Sequence, residues 1–190
     1  MMEKYNHKTY TDYLASQKRD LIKIKKAWSW TAEENIRVIA ETIKELDPKR
    51  GLCHGTRFGF EQQWFKKYLP GCKVIGTELN LVNAPDTYIW DFNEPHQDWI
   101  GEFDFVYSNS YDHCFDPEVT FRVWCNQVKR GGVLIFEHGA QHERATKKDP
   151  VGMTVEELVK HVEASGCADI KIIDLPFVQK KYQKAVLAYL

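Results

Sequence analysis

Three strand-end motifs and two histidines are the residues of this chain whose types and spacing could do chemistry. The run Gly51-Leu52-Cys53-His54-Gly55-Thr56-Arg57-Phe58-Gly59 reads as a short strand and a turn, and a glycine in such a turn lets the backbone approach a ligand closely. Glu78 stands 23 residues beyond Gly55, after a second apolar run. At that distance an adenosine-binding α/β fold places a carboxylate for the ribose hydroxyls. Asp91-Phe92, after a third run, pairs an acceptor for an exocyclic adenine amine with an apolar face for the ring. Either acid alone reads most simply as a solvated loop residue; the ordered set carries the weight. His113 and His138 follow the next two strands and are candidate general bases, because imidazole titrates near neutral pH. The plainer alternative is a turn histidine bonded to backbone. No metal centre is expected: His54, His113, Cys114, His138 and His142 could converge at one sheet edge, but only His138 with His142 has a tight ligand spacing, and that pair is not obviously on a helix.

The elements that must hold these residues alternate. From Arg50 onward, short apolar runs are separated by helical patterns, the signature of a mostly parallel sheet with helices on its faces. Strands are expected around Gly51-Leu52-Cys53, from Cys72 to Thr77, from Thr87 to Trp90, from Phe103 to Ser108 and from Val133 to Phe136. The last is wholly apolar, as in a strand covered on both faces. Phe60, Trp64, Phe65, Tyr68 and Leu69 fall at helical spacing before Pro70-Gly71. Asp116-Pro117 places an N-cap before a proline at the first helical position, opening a helix expected to stop at Gly131-Gly132. Thr154 and Glu157 make a capping box for a helix closed by Gly166. Ile170, Ile172 and Ile173 mark one further strand and Ala185 to Leu190 another. Only about ten residues separate them, too few for a parallel crossover, so an antiparallel hairpin is expected. Ahead of this core, Thr31 and Glu34 read as a capping box for a helix with Ala32, Ile36, Ile39, Ala40 and Ile43 on one face, ending near Asp47-Pro48. Tyr10, Leu14, Leu21, Ile24 and Trp28 suggest another amphipathic helix upstream.

Composition narrows the class. At 190 residues the chain suits one domain, 1–190, with N-terminal helices over 1–49 and the core over 50–190. A hydrophobic content of 43% with 28% charged residues is that of a globular protein. The net charge of −1 provides no field toward nucleic acid or an anionic membrane. Lys18, Arg19, Lys23, Lys25 and Lys26 are interleaved with Asp12 and Asp20 and read as a solvated helix face. The five cysteines include no C-x-x-C pair and read as reduced core residues, which suits a cytoplasmic location. No apolar run approaches the ~20 residues that span a bilayer, and Met1 to His7 includes no signal-like apolar region. Oligomeric state is not legible.

The segment from Phe103 to His113, then Asp116-Pro117-Glu118, then Val128-Lys129-Arg130-Gly131-Gly132-Val133-Leu134-Ile135 resembles one block of small-molecule class I S-adenosylmethionine-dependent methyltransferases. In that family an apolar fourth strand, a polar turn with an acidic-His pair, a D-P-E helix start and a K-P-G-G turn into strand five follow in order. The resemblance extends from about Arg50 to Leu190. It departs at the first strand, where the family's D-x-G-x-G-x-G is met by Gly51 at the acid, Cys53 at the first glycine and Arg57 at the third; only Gly55 matches.

The resemblance implies a three-layer α/β Rossmann-like sandwich: a mostly parallel seven-stranded sheet with a C-terminal antiparallel hairpin, preceded by N-terminal helices. It implies methyl transfer from S-adenosyl-L-methionine to a small polar acceptor, with S-adenosyl-L-homocysteine as product. Gly55, Thr56 and Arg57 would meet the amino-acid end of the cofactor, Glu78 and Leu79 its ribose, Asp91 and Phe92 its adenine. Ser108 and Asn109 would lie beside the sulfonium, and His113 or His138 would take a proton where the acceptor must lose one. The N-terminal helices and the loop from His138 to Pro150, with Gln141, His142, Glu143 and Arg144, would cover the substrate. A nicotinamide oxidoreductase is disfavoured because G-x-G-x-x-G is absent. A nucleic-acid or protein N-methyltransferase finds only a fragment of its N-P-P-aromatic turn in Asn109-Ser110-Tyr111. A non-catalytic scaffold that has lost the cofactor stays open.

Overall fold

Side chains of a β-strand alternate between faces, and here each face meets its own helical layer. A computed structural model describes residues 1–23, 29–80 and 84–190, the side chains of 19–23 excepted. The strands are β1 (Arg50–His54), β2 (Lys73–Glu78), β3 (Thr87–Ile89), β4 (Phe103–Ser108), β5 (Val128–Gly139), β6 (Asp169–Asp174) and β7 (Gln183–Tyr189). Their order in the sheet is β3-β2-β1-β4-β5-β7-β6, parallel from β3 through β5, with β7 antiparallel to both of its neighbours. The expected seven-stranded sheet and terminal hairpin are both present.

The helices are α1 (Tyr10–Lys23), α2 (Glu33–Ile43), α3 (Phe60–Tyr68), α4 (Pro117–Gln127) and α5 (Val155–Ala164). Leu52, Val106, Leu134 and Val186 pack with Phe121, Trp124, Leu158 and Val162 of α4 and α5. Their sequence neighbours Cys53, Phe105, Ile135 and Leu187 face the opposite way and pack with Ile36, Ile39, Ile43 and Phe65 of α2 and α3. The sheet is thus the middle of three layers. Glu3–Lys4 forms a short antiparallel ribbon with Val151–Gly152.

Local chemistry explains most boundaries. The Asp116 side chain accepts from the backbone N–H groups of Glu118 and Val119, with Pro117 at the start of α4, and Thr154 and Glu157 form the expected reciprocal box on α5. Two expectations are corrected. Thr31 does not cap α2, whose N-cap is Ala32 without a side-chain bond, because the Thr31 hydroxyl donates instead to buried Glu137, at 2.6 Å. Helix α4 stops at Gln127 rather than at Gly131-Gly132. Val128 is already in β5, paired with Phe103, and Gly131, at φ +79°, bends the strand instead of ending the helix. In the upstream helix, Ile24, Trp28, Lys25 and Lys26 lie outside the described residues, as do the side chains of Leu21, Arg19 and Lys23. All five cysteines are buried and free, and among the described residues no helix is long and apolar enough to cross a membrane.

Candidate active site

β1 starts in the middle of the sheet, and the chain runs outward to β3 before returning to β4, so strand order reverses between β1 and β4. Ligands of open α/β sheets bind outside the carboxyl ends of the strands at such a point. A cavity of about 890 Å³ opens there, bordered by the segments that follow β1 to β5 and by Tyr13 and Gln17 of α1.

Gly55, which follows β1, takes φ +70° and lines the cavity. A Cβ here would meet Ser110 at 2.8 Å, so what the glycine admits is the packed turn after β4. Arg57 also lines the cavity, at φ +47°, and its backbone N–H donates to Glu78 Oε2 at 2.9 Å. The backbone N–H of Leu79 donates to Oε1 at 2.7 Å. Glu78 is nearly buried, and desolvation raises its pKa against the pull of these N–H groups. The backbone N–H of Asn80 also acts on this carboxylate, which keeps acceptor capacity beyond these bonds. Leu79, Trp90 and Phe92 add apolar and aromatic surface to the cavity wall.

The turn after β4 brings in Asn109, Ser110, Asp112 and His113. His113 Nδ1 meets Gln17 Oε1 at 3.0 Å, and its Nε2 lies 3.4 Å from Asp149 Oδ1. Asp112 is buried, which pushes its pKa up to about 7, helped by nearby Asp149 and opposed by His113. Beyond β5, Gln141, His142, Glu143, Arg144 and Asp149 border the cavity as well, so the loop and helix expected to cover it do contribute to its wall. Gln17 Nε2 joins the helix to the loop by donating to the Lys148 carbonyl at 2.8 Å, and the Tyr13 hydroxyl ties the helix to the turn after β4 by donating to the His113 carbonyl at 2.7 Å.

Gly55, Arg57, Glu78, Leu79, Phe92, Asn109 and His113 therefore share one cavity, and four expected site residues do not line it. Asp91 is held elsewhere: Oδ2 accepts from the Tyr10 hydroxyl at 2.6 Å, and Oδ1 from Asn93. Thr56 is buried with Oγ1 toward Gly76, where an added Cβ would lie 2.6 Å from it. Ser108 is fully buried, donating to the His54 carbonyl and accepting from the Ser110 N–H. His138 is also fully buried, between the hydroxyls of Tyr111 and Tyr182. Tyr182 spends its one proton on Glu143, so His138 Nε2 must donate to Tyr182 and Nδ1 accept from Tyr111. Desolvation, with His142 nearby, lowers its pKa to about 3. This neutral ring, with both nitrogens engaged, is no base for a ligand in the cavity.

The remaining histidines also sort by burial. His54 stacks on Trp124 at 4.8 Å, is bonded to Thr77 and Gln127, and burial lowers its pKa to about 4. His142 accepts from the Gly139 N–H at 2.9 Å, which leaves Nε2 to donate to the Asn109 carbonyl. A Cβ at Gly51 would lie 2.2 Å from the Phe105 ring, so the space beside this residue is filled by a core aromatic.

No family model and no curated protein matches this sequence. Solved structures do. A 1,6-didemethyltoxoflavin-N1-methyltransferase from Burkholderia thailandensis, solved with 1,6-didemethyltoxoflavin and S-adenosylhomocysteine, aligns over 98% of this chain and 93% of its own, with a TM-score of 0.71 at 14% identity. An S-adenosylmethionine-dependent methyltransferase from Clostridium acetobutylicum aligns over 96% and 99%, with a TM-score of 0.60 at 13% identity. A TehB-like S-adenosylmethionine-dependent methyltransferase from Corynebacterium glutamicum aligns over 95% and 97%, with a TM-score of 0.56 at 16% identity. The fold is that of the class I S-adenosylmethionine-dependent methyltransferases.

Proposed function

We propose that this chain is an S-adenosylmethionine-dependent methyltransferase acting on a small polar acceptor. The observation that carries the reading is Glu78: a nearly buried carboxylate at the tip of β2, fixed by two backbone N–H groups, bordering the cavity at the point where strand order reverses. A group of this kind suits a ribose diol. Its oxygens are oriented, and the carboxylate retains acceptor capacity for a hydroxyl donor. The cavity volume of about 890 Å³ falls in the upper range for small-ligand sites, enough for a nucleoside cofactor beside a small acceptor.

S-adenosylmethionine supplies a methyl carbon already activated by its sulfonium, so the protein's task is positioning and exclusion of water. Glu78 would accept from the ribose hydroxyls, with Leu79 alongside. Phe92 and Trp90 would offer apolar faces to the adenine. Gly55, Arg57 and Asn109 would border the amino-acid end and the sulfonium. Asp91, engaged by Tyr10, takes no part in this arrangement. Thr56 and Ser108 act from behind the wall, supporting the turns that form it. Of the two candidate bases, His113 is the one that borders the cavity. The polar side chains of α1 and of the loop beyond β5 support a hydroxylated or charged acceptor, and the buried free thiols suit a cytoplasmic setting.

Calorimetry with S-adenosylhomocysteine tests this reading. The wild-type protein is expected to bind, and Glu78→Ala to weaken binding by about 10- to 100-fold, the loss of hydrogen bonds to a charged acceptor. Absence of binding to the wild type would favour the scaffold alternative, and an unchanged affinity in the variant would remove Glu78 from the site.

A further inference from the structure

We propose that Asp112, His113 and Asp149 form a binding site for a divalent cation in the wall of the cavity. Each offers one ligand atom, and these atoms lie within 4.8 Å of one another. Asp112 is only 7% exposed, and its Oδ1 has no hydrogen-bond partner among the described residues. A carboxylate oxygen withdrawn from water without a donor is costly, and native proteins pair such atoms or give them to a metal.

The histidine is set up to complete the site. Gln17 donates through Nε2 to the Lys148 carbonyl at 2.8 Å, which fixes its amide and turns Oε1 toward His113 Nδ1, 3.0 Å away. An amide oxygen only accepts, so Nδ1 carries the hydrogen and the neutral ring presents a lone pair at Nε2. An outer partner on the second ring nitrogen is how metal-ligating histidines are held. Nε2 faces Asp149 Oδ1 at 3.4 Å, so two lone pairs confront each other unless a positive charge lies between them. Thr146 Oγ1 donates to the other oxygen of Asp149 at 3.1 Å, steadying that carboxylate in turn.

One imidazole and two carboxylates suit a first-row divalent ion such as Mn²⁺ or Zn²⁺. With metal–ligand bonds of about 2.1 Å, the three atoms would draw together by small side-chain rotations from their present spacing. The ligands come from the turn after β4 and the loop beyond β5, and their orienting partner from α1. A cation held here would therefore tie both covering segments to the sheet. All three ligand residues border the cavity, so the ion would be accessible to an acceptor molecule within it. None of its ligands is among the nucleoside contacts, but an ion on His113 Nε2 would take the lone pair that a general base needs, so with the ion bound His113 acts as a ligand and not as a base.

The test uses untagged, chelator-treated protein without cofactor. Mn²⁺ is titrated with detection by electron paramagnetic resonance, and Zn²⁺ by equilibrium dialysis. One ion per chain is expected, with affinity falling at least about tenfold in Asp112→Asn and in His113→Gln but holding in the exposed control Asp98→Asn. A saturating ion should raise the wild-type Tm by about 5 °C or more and leave that of Asp112→Asn unchanged. S-adenosylhomocysteine calorimetry and circular dichroism on the same variants separate loss of the ion site from loss of fold or of cofactor binding. The proposal is overturned if neither ion binds stoichiometrically, or if binding survives both substitutions.

Discussion

Thr31 donates its hydroxyl to Oε2 of Glu137 at 2.6 Å, across 106 residues of sequence. The same oxygen accepts from the Tyr107 hydroxyl at 2.7 Å, while Oε1 accepts from Asn35 and Gln183, each at 2.9 Å. A carboxylate has about four acceptor sites, and four neutral donors fill them in a fully buried position. Glu137→Gln would set an amide N–H₂ against two of those donors. A loss of about 2–4 kcal/mol is expected, read as a fall in Tm of roughly 5–15 °C in thermal denaturation. An unchanged Tm would show that the network contributes nothing to holding α2 on the sheet.

Glu61 supplies a pH prediction. Burial pushes its pKa up to about 7, against the pull of backbone hydrogen bonds and Ser29. The folded state then holds a proton that the unfolded chain releases above about 4.5, so stability falls as pH rises from about 4.5 to 7 and is level beyond. Glu61→Gln removes that slope. The variant should match the wild type near pH 4.5 and exceed it by roughly 1–3 kcal/mol at pH 8, measured by urea denaturation at both values. His54, His138 and His142, whose folded pKa values are lowered by burial, lose stability as pH falls below about 6.5; they are shared by both proteins and cancel in the comparison.

The Gly51 position can be probed by adding one methyl group. Because a Cβ there would lie 2.2 Å from the Phe105 ring, Gly51→Ala should destabilise by about 2–4 kcal/mol, and Phe105→Leu in the same chain should recover part of it. Additive losses in the double variant, followed by denaturant midpoints, would contradict a steric conflict between these two positions.

His138 is expected to matter for folding rather than binding. His138→Ala removes the acceptor of the buried Tyr111 hydroxyl and one of the two partners of the Tyr182 hydroxyl, and should lower stability by about 2–4 kcal/mol. The affinity for S-adenosylhomocysteine should change less than about twofold, and a larger loss by calorimetry would return this ring to the site.

The layered sheet was legible because its signals are local. Strand periodicity, the Asp116-Pro117 start of α4 and the Thr154–Glu157 box each depend on a few adjacent residues, and all appear where they were expected. The failures involve distant partners. Thr31 and Glu34 have capping-box spacing, yet a carboxylate on β5 outcompetes the helix end for the hydroxyl. Asp91 follows β3 as expected, but Tyr10 of α1 occupies it. Gln17 and Asp149 reach the cavity through the packing of α1 against the loop beyond β5, which no motif announces. The acidic-His pair Asp112-His113 was the one local hint of the cluster to which they belong.

The position of β7 constrains the order of assembly. It lies between β5 and β6 although it follows both in the chain. Until it inserts, β6 has no neighbour to pair with, and β5 leaves a row of amides open beside Val133, Leu134, Ile135 and Phe136. Such an edge invites self-association. Refolding at high concentration should therefore lose material to aggregation before residues 183–189 dock, and a substitution that weakens only that segment would cut recovered yield more than its effect on equilibrium stability would suggest.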